Sequence, residues 1–383
     1  MSVTAARGFR AAGIAAGLKS GGRRDVAVVV NDGPLRHGAV VLTGNRVQAA
    51  PVRWTRDVLA DGRVAAVLLN SGGANACTGE PGYADTGRSA RALAGHLDVD
   101  PHEIAVCSTG LIGVRLPMAA LLPGVDRAVD SLGPDGGPAA AEAILTTDSV
   151  PKTAVVTSGG WTVGGMAKGA GMLAPGLATM LVVLTTDAVA DPADLDAALR
   201  GATRVTFDRV DSDGCMSTND TVLLLASGAS GVTPAAAELA EAVRQVCADL
   251  ARQLIADAEG ASHDIAVDVV AAATEADAVE VGRAVARSNL FKAAVFGNDP
   301  NWGRVLAAVG TTAAVFDPDQ LDVAINGVPV CRAGGVGADR DLVDMSAREV
   351  RVVVDLHAGD ATATIWTNDL THEYVHENSA YSS

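Results

Sequence analysis

The chain has 383 residues, enough for a substantial core and for two packed lobes. Its formal net charge of −16 argues against nucleic acid and against an anionic membrane surface as partners. With 49% hydrophobic but only 3% aromatic residues, packing falls to Ala, Val and Leu, and the 42 glycines point to an enzyme-like globule with many tight turns.

In chain order, Met1 to Arg24 is basic, but glycines break its apolar residues and it lacks a signal-peptide core. Residues 25–30 and 63–70 are short β-branched runs between turn residues and read as strands. The second ends in the polar loop Asn70-Ser71-Gly72-Gly73-Ala74-Asn75. Residues 85–97 have helical spacing, 103–108 form a strand stopping at Ser108-Thr109-Gly110, 121–132 read as helix and 134–138 as loop. Residues 152–158 and 161–168 flank Gly159-Gly160 as a hairpin. Residues 179–185 are strand-like and 192–199 helical. The longest predicted helix is 234–258, where Leu239, Val243, Cys247, Leu250 and Leu254 recur at steps of three and four, with Gly260 as its C-cap. A helix at 276–287 follows, and the alternating segments 350–356 and 362–366 are expected to pair antiparallel. No run is long enough for a transmembrane helix, so the cytoplasm is the default location.

Titratable residues narrow the chemistry. The five cysteines (Cys77, Cys107, Cys215, Cys247 and Cys331) are odd in number and contain no CxxC, so neither a disulfide framework nor a zinc site is expected. Among the seven histidines, His372-Glu373-Tyr374-Val375-His376 has the HExxH spacing, but the surrounding alternation reads as strand rather than helix, so His372 and His376 read as surface or second-layer residues and no metal is assigned. The role of His263 stays open.

The stretch from Met166 to Leu181 is the most informative. A glycine- and proline-rich bend, Lys168-Gly169-Ala170-Gly171-Met172-Leu173-Ala174-Pro175-Gly176, leads into Leu177-Ala178-Thr179 and a strand that opens on a hydroxyl residue. Threonine is a poor nucleophile without a base. Cleaving the peptide bond before it turns its own α-amine into that base, with a pKa of about 7.7–8.0.

With these residues in view, the sequence resembles the ornithine acetyltransferases, also called glutamate N-acetyltransferases. The resemblance runs through six ordered motifs besides the Lys168–Leu181 stretch. They are Asn70–Cys77, Ser108–Gly113, Thr146-Thr147-Asp148, Ser217–Thr221, Asn298–Arg304 and the terminal 378–383. Leu177 stands where relatives have Met, and Ser383 where they often have Thr.

The resemblance implies an α+β fold of mixed β-sheets sandwiched between helical layers, in two lobes. It implies self-cleavage between Ala178 and Thr179 into fragments 1–178 and 179–383, assembled as a heterotetramer of two copies of each. Thr179 takes the acetyl group of N-acetylornithine and passes it to glutamate in ping-pong fashion, as a step of arginine biosynthesis. Thr109 and Gly110 match the oxyanion hole. Thr147 (with Thr146 the alternative), Lys168, Thr179, Glu259, Asn378 and Ser383 match substrate contacts. No cofactor is implied; some relatives also use acetyl-CoA as donor, and the sequence leaves that open here.

Glu259, placed at the unfavourable end of the long helix, reads as an acid kept there for a task. The sequence admits two rival readings. Ser149-Val150-Pro151-Lys152 with Ser217-Thr218-Asn219 mimics a serine acyl-enzyme, but Pro151 disfavours the helix that motif occupies. An N-terminal-Thr amidohydrolase or aminopeptidase needs the same cleavage, with water resolving the acyl-enzyme.

Overall fold

The computed structural model describes residues 2–174 and 180–380. The expected junction Ala178–Thr179 and the terminal Ser383 lie outside the described residues. The chain divides into two compact units, one within Met1–Asp208 and Cys215–Asp257, the other within Arg209–Gly214 and Ala258–Ser382.

The first unit holds strands β1 (Phe9–Ile14), β2 (Val26–Asn31), β3 (His37–Leu42), β4 (Ala66–Asn70), β5 (Ile104–Ser108), β6 (Lys152–Ser158), β7 (Trp161–Lys168), β8 (Leu181–Thr186) and β9 (Thr221–Ala226). Its helices are α1 (Ala50–Val58), α2 (Gly79–Leu97), α3 (Met118–Asp130), α4 (Gly137–Ala143), α5 (Pro192–Val205) and α6 (Ala236–Ala256). Two mixed sheets form, in the orders β1-β2-β4-β5 and β3-β9-β8-β7-β6. Alternate residues explain why they stack. Val29, Leu69 and Cys107 of the first sheet share a core with Met166, Val183 and Leu223 of the second. The opposite faces are covered by helices: Val28, Leu68 and Val106 pack against Trp54, Leu93 and Leu121, while α5 lies on β3 and α6 on β6 and β7. Strands β2, β4, β5, β8 and β9 are therefore buried along their whole length and read as continuous apolar runs rather than alternating ones.

The second unit is built on strands β10 (Asp264–Ala272), β11 (Asp322–Ile325), β12 (Val328–Arg332), β13 (Gly335–Val336), β14 (Glu349–Asp355) and β15 (Ala361–Asn368). They form one sheet in the order β13-β12-β11-β14-β10-β15. Helices α7 (Glu275–Ala286), α8 (Asn289–Phe296) and α9 (Trp302–Val309) bury Val281, Phe291 and Val305 against Val267, Val323 and Val352 of that sheet. Helix α10 (His372–Ala380) ends the described chain.

The expected α+β architecture of mixed sheets between helical layers is present, and the 152–158/161–168 hairpin forms around Gly159-Gly160, with Ser158 opposite Trp161. Five details differ. The basic N-terminus is part of the core: β1 pairs with β2, and Val3, Phe9, Ala11 and Ala12 are buried. Segments 350–356 and 362–366 do not pair with each other; β14 lies parallel and β15 antiparallel to β10, which separates them. His372 and His376 sit on a helix, not a strand-like tail. Helix α4 starts at Gly137, inside the segment expected to be loop. Helix α6 stops at Ala256 with Asp257 at its C-cap, so Gly260 caps nothing there.

Candidate active site

The parallel pair β4/β5 ends with Asn70 opposite Ser108. The loops that leave these strands, Asn70–Cys77 and Ser108–Gly113, interlock. Thr109 N–H donates to Asn70 O at 3.0 Å, Gly73 N–H to Thr109 O at 3.0 Å, Ala74 N–H to Leu111 O at 3.1 Å and Gly113 N–H to Ala76 O at 2.9 Å. Gly110 has φ +127°, and a Cβ there would stand 2.8 Å from Gly73 N, so only glycine fits. Thr109 is buried. Its N–H is committed to Asn70, whereas the Gly110 N–H takes no partner among the described residues.

Strand β7 ends on Lys168, and the β7/β8 ladder sets Lys168 opposite Leu181. The lysine is buried at 2% exposure and its Nζ lies 3.7 Å from Asp148 Oδ2. Asp148 is the hub of this corner. Its carboxylate also receives Lys152 Nζ at 2.7 Å, Gly169 N–H at 2.6 Å and Thr146 N–H at 3.1 Å. Burial alone pushes its pKa up; Lys168 and Lys152, with the hydrogen bonds from Lys152 and Gly169, outweigh that and hold it at about 2. Lys152 Nζ reaches Asp257 Oδ2 as well, at 2.6 Å.

A third cation approaches. Asp25, itself buried, accepts the N–H groups of Ala16, Gly17, Leu18 and Lys19 and so shapes that loop. Lys19 Nζ donates to Leu145 O at 2.8 Å. Partial burial and the charges of Arg23 and Lys168 lower its pKa to about 8, against the opposing pull of Asp25 and Asp148. Thr147 lies half-buried in the turn between Thr146 and Asp148; Thr146 spends its N–H on Asp148.

In the second unit, Asn378 Nδ2 donates to Glu259 Oε2 at 2.9 Å and to Tyr374 O at 3.0 Å. Two residues 119 apart in sequence thus meet. Glu259 stands beyond the end of α6, in a turn where Gly260 has φ +61° and a Cβ would collide with Tyr374 N at 2.2 Å. The helix-dipole argument for Glu259 therefore fails; its place is set by packing on α10. His263 is buried, with Nδ1 2.8 Å from Asp369 Oδ2 and Nε2 3.3 Å from Met345 O, so its ring is engaged on both sides in holding this unit together. The Asn298–Arg304 motif forms the turn into α9.

The rival serine motif is taken apart by the fold. Lys152 opens a strand and is bound by Asp148 and Asp257, while Ser149 uses its N–H on Asp257. Among the described residues no group of three or more His, Cys, Asp or Glu is placed to hold a metal ion, and no helix is long and apolar enough to cross a membrane. Lys19 was not singled out from the sequence; Asp148, Asn219 and Asp220 stood inside the ordered motifs without a role, and Lys152 was read only as part of the rival serine motif.

A family model described as the ArgJ family matches residues 10–383. The chain belongs to the ArgJ family. It is 70% identical, over the full length of both chains, to the arginine biosynthesis bifunctional protein ArgJ of Streptomyces avermitilis. It is 55% identical over 391 residues, again covering both chains entirely, to the protein of that description from Bifidobacterium longum. Among solved structures, the ArgJ protein of Bacillus halodurans matches at 34% identity with a TM-score of 0.50, covering 52% of this chain and 98% of that one. An ornithine acetyltransferase from Mycobacterium tuberculosis, solved with ornithine, is 53% identical with a TM-score of 0.45, covering 47% of this chain and 96% of that one. ArgJ membership accounts for the six ordered motifs at once, and it does not favour the amidohydrolase rival.

Proposed function

We propose that this chain cleaves itself between Ala178 and Thr179 and then moves the acetyl group of N-acetylornithine to glutamate through an acetyl ester on Thr179. At the level of the family, it is an acetyltransferase of arginine biosynthesis. The observation that carries the finer reading is the pairing of a buried cation, Lys168, at the head of the β7/β8 ladder with the interlocked turn at Thr109–Gly110 in the same unit.

In this mechanism Thr179 Oγ attacks the acetyl carbonyl while its α-amine takes the hydroxyl proton. The Gly110 N–H and the Thr109 hydroxyl receive the developing oxyanion, a role worth about 2.7–4 kcal/mol per donor. The carbon–nitrogen bond breaks, the proton passes to the leaving amine, and ornithine departs. The amine of glutamate then attacks the ester and the steps reverse. Lys168 receives a substrate carboxylate as a compact charge. Thr147 and Ser383 supply hydroxyl contacts, and Glu259 with Asn378 receives a substrate amine. No metal or prosthetic group enters, because acyl exchange between a hydroxyl and two amines needs neither.

The fragments 1–178 and 179–383 stay together in this reading. The five-stranded sheet draws β3, β6 and β7 from the first and β8 and β9 from the second. Support for cleavage also comes from the Bacillus halodurans ArgJ chain, which matches along 98% of itself but only 52% of this chain, as a separate fragment does. The assembly is two copies of each fragment, and the location cytoplasmic. Whether acetyl-CoA serves as a second donor is decided by the same acceptor assay.

The test is the intact mass under denaturing conditions, followed by acetyl transfer to glutamate. Two species meeting at the Ala178–Thr179 bond, and a Thr179→Ala chain that stays whole and inactive, are expected. An active Thr179→Ala chain sinks the assignment. Acetyl-enzyme resolved by water in preference to glutamate restores the hydrolase.

A further inference from the structure

Asp220, the residue just before β9, is fully buried. Its Oδ1 accepts the N–H of Met180 at 3.1 Å, and the next residue, Thr221, donates its N–H to Met180 O at 3.1 Å. Both polar groups of the Met180 backbone are thus fixed by this one segment, and Met180 is bonded directly to Thr179. The segment is itself held firmly. Thr43 donates its N–H to Asp220 O at 3.0 Å and its hydroxyl to Ser217 O at 2.7 Å.

The preceding residue reaches the other half of the site. Asn219 Nδ2 donates to Ala74 O at 2.6 Å and to Ser108 O at 2.8 Å, and its Oδ1 is fixed by the Thr218 hydroxyl at 2.6 Å. Ser108 is bonded directly to Thr109. Two adjacent side chains therefore grip the residue after the nucleophile and the residue before the oxyanion turn.

Asp220 is an expensive residue for this place. Its Oδ2 is buried and has no hydrogen-bond partner among the described residues. A carboxyl left so is destabilising, and a fold that needed only packing has no use for it. Burial raises its pKa well above the usual range, against the opposing effects of the Met180 N–H, Ser217, Lys168 and Thr43. Asparagine has nearly the same shape and keeps an oxygen for the Met180 N–H.

We propose that Asp220 and Asn219 are positioning residues: by holding Met180, the residue after Thr179, and Ser108, the residue before Thr109, one short loop fixes the geometry for both self-cleavage and acetyl transfer. This rests on Thr179 being the nucleophile. A reacting group displaced by an ångström loses about a hundredfold in rate, so loss of either grip is read in kcat rather than in substrate affinity.

The experiment follows cleavage by intact mass and transfer kinetics in the full chain bearing Asp220→Asn, Asp220→Ala or Asn219→Ala, with melting temperatures recorded. Asp220→Asn is expected to cleave and turn over within about threefold of the parent. Asp220→Ala should slow cleavage and lower kcat by about tenfold or more, with KM within about twofold. Asn219→Ala should lower kcat in the same way. A folded Asp220→Ala that cleaves at the parental rate overturns the proposal. So does Asp220→Asn if it is as impaired as the alanine variant, since the acceptor oxygen for the Met180 N–H is then not what matters. If Asp220→Ala does not fold, a parental kcat in Asn219→Ala overturns it alone. Activity in Thr179→Ala is a different result, because it removes the underlying reading and not only this one.

Discussion

Lys168 Nζ stands 3.7 Å from Asp148 Oδ2, with the two side chains 2% and 0% exposed. Asp148 also pairs with Lys152, which Asp257 binds in turn at 2.6 Å, so two carboxylates and two ammonium groups share this corner.

Stability should report this hub. The folded pKa of Asp148, about 2, lies below the ordinary 3.8, so its stabilisation is complete above the unfolded value and fades as pH falls through about 2. The shift corresponds to about 2 kcal/mol. Asp148→Asn is expected to cost about 3–5 kcal/mol at neutral pH, because it breaks a buried ion pair that Lys168 and Lys152 share, although Lys152 retains Asp257. Urea midpoints check this: the gap between parent and variant should narrow as pH falls from about 5 to about 2. A gap independent of pH in that window removes the ion-pair account.

Lys168→Met keeps the apolar stem and deletes the charge. The acetyl donor and the acceptor both carry a carboxylate, so KM for each should rise by about ten- to a hundredfold, while the melting temperature changes little because Asp148 retains Lys152. Steady-state kinetics with each substrate varied in turn decide it. A parental KM with a collapsed melting temperature assigns Lys168 to structure instead.

Much of this was legible in the chain because local chemistry agreed with the fold. The hairpin at Gly159-Gly160 and the buried stripe of α6 follow from turn residues and from apolar spacing alone. What sequence reasoning lost were long-range choices. Strands β14 and β15 alternate like partners, yet β10 lies between them, and nothing within either strand encodes that. Glu259 was named through the resemblance; the helix-end argument added for it does not hold, since its neighbour is Asn378 and not a helix terminus. Asp148 and Asp220 stood inside the ordered motifs but received no role, because a buried carboxylate is recognised by what surrounds it, and the partners Lys168 and Met180 come from other segments of the chain.

Gly110→Ala tests the oxyanion turn. The added Cβ would stand 2.8 Å from Gly73 N and 2.9 Å from Gly73 Cα, at a backbone conformation that alanine resists. The loops must part, moving the Gly110 N–H from its place. A loss of about 10²–10³ in kcat is expected, as for removal of one oxyanion donor, with slower self-cleavage in the same variant. Gly113→Ala is the control: it also has a positive φ, but a Cβ there meets nothing within 4 Å. Equal kinetic losses in the two variants trace the effect to backbone strain and not to the oxyanion site.

Glu259 and Asn378 offer the last test, because their hydrogen bond separates two roles that a single substitution confuses. If Glu259 receives a substrate amine, Asn378 holds its carboxylate in place from α10. Glu259→Gln keeps a group that can meet Asn378 but loses the charge. It should therefore reduce kcat/KM for N-acetylornithine by about ten- to a hundredfold, the worth of a hydrogen bond to a charged group. Asn378→Ala keeps the charge and loosens it, so a smaller loss of a few-fold is expected. Because Asn378 acts through Glu259, the double variant should be little worse than Glu259→Gln alone, with a coupling energy of about 0.5–1.5 kcal/mol. Losses that simply multiply show that the two residues act independently, and Asn378 then contacts substrate itself or only secures the last helix.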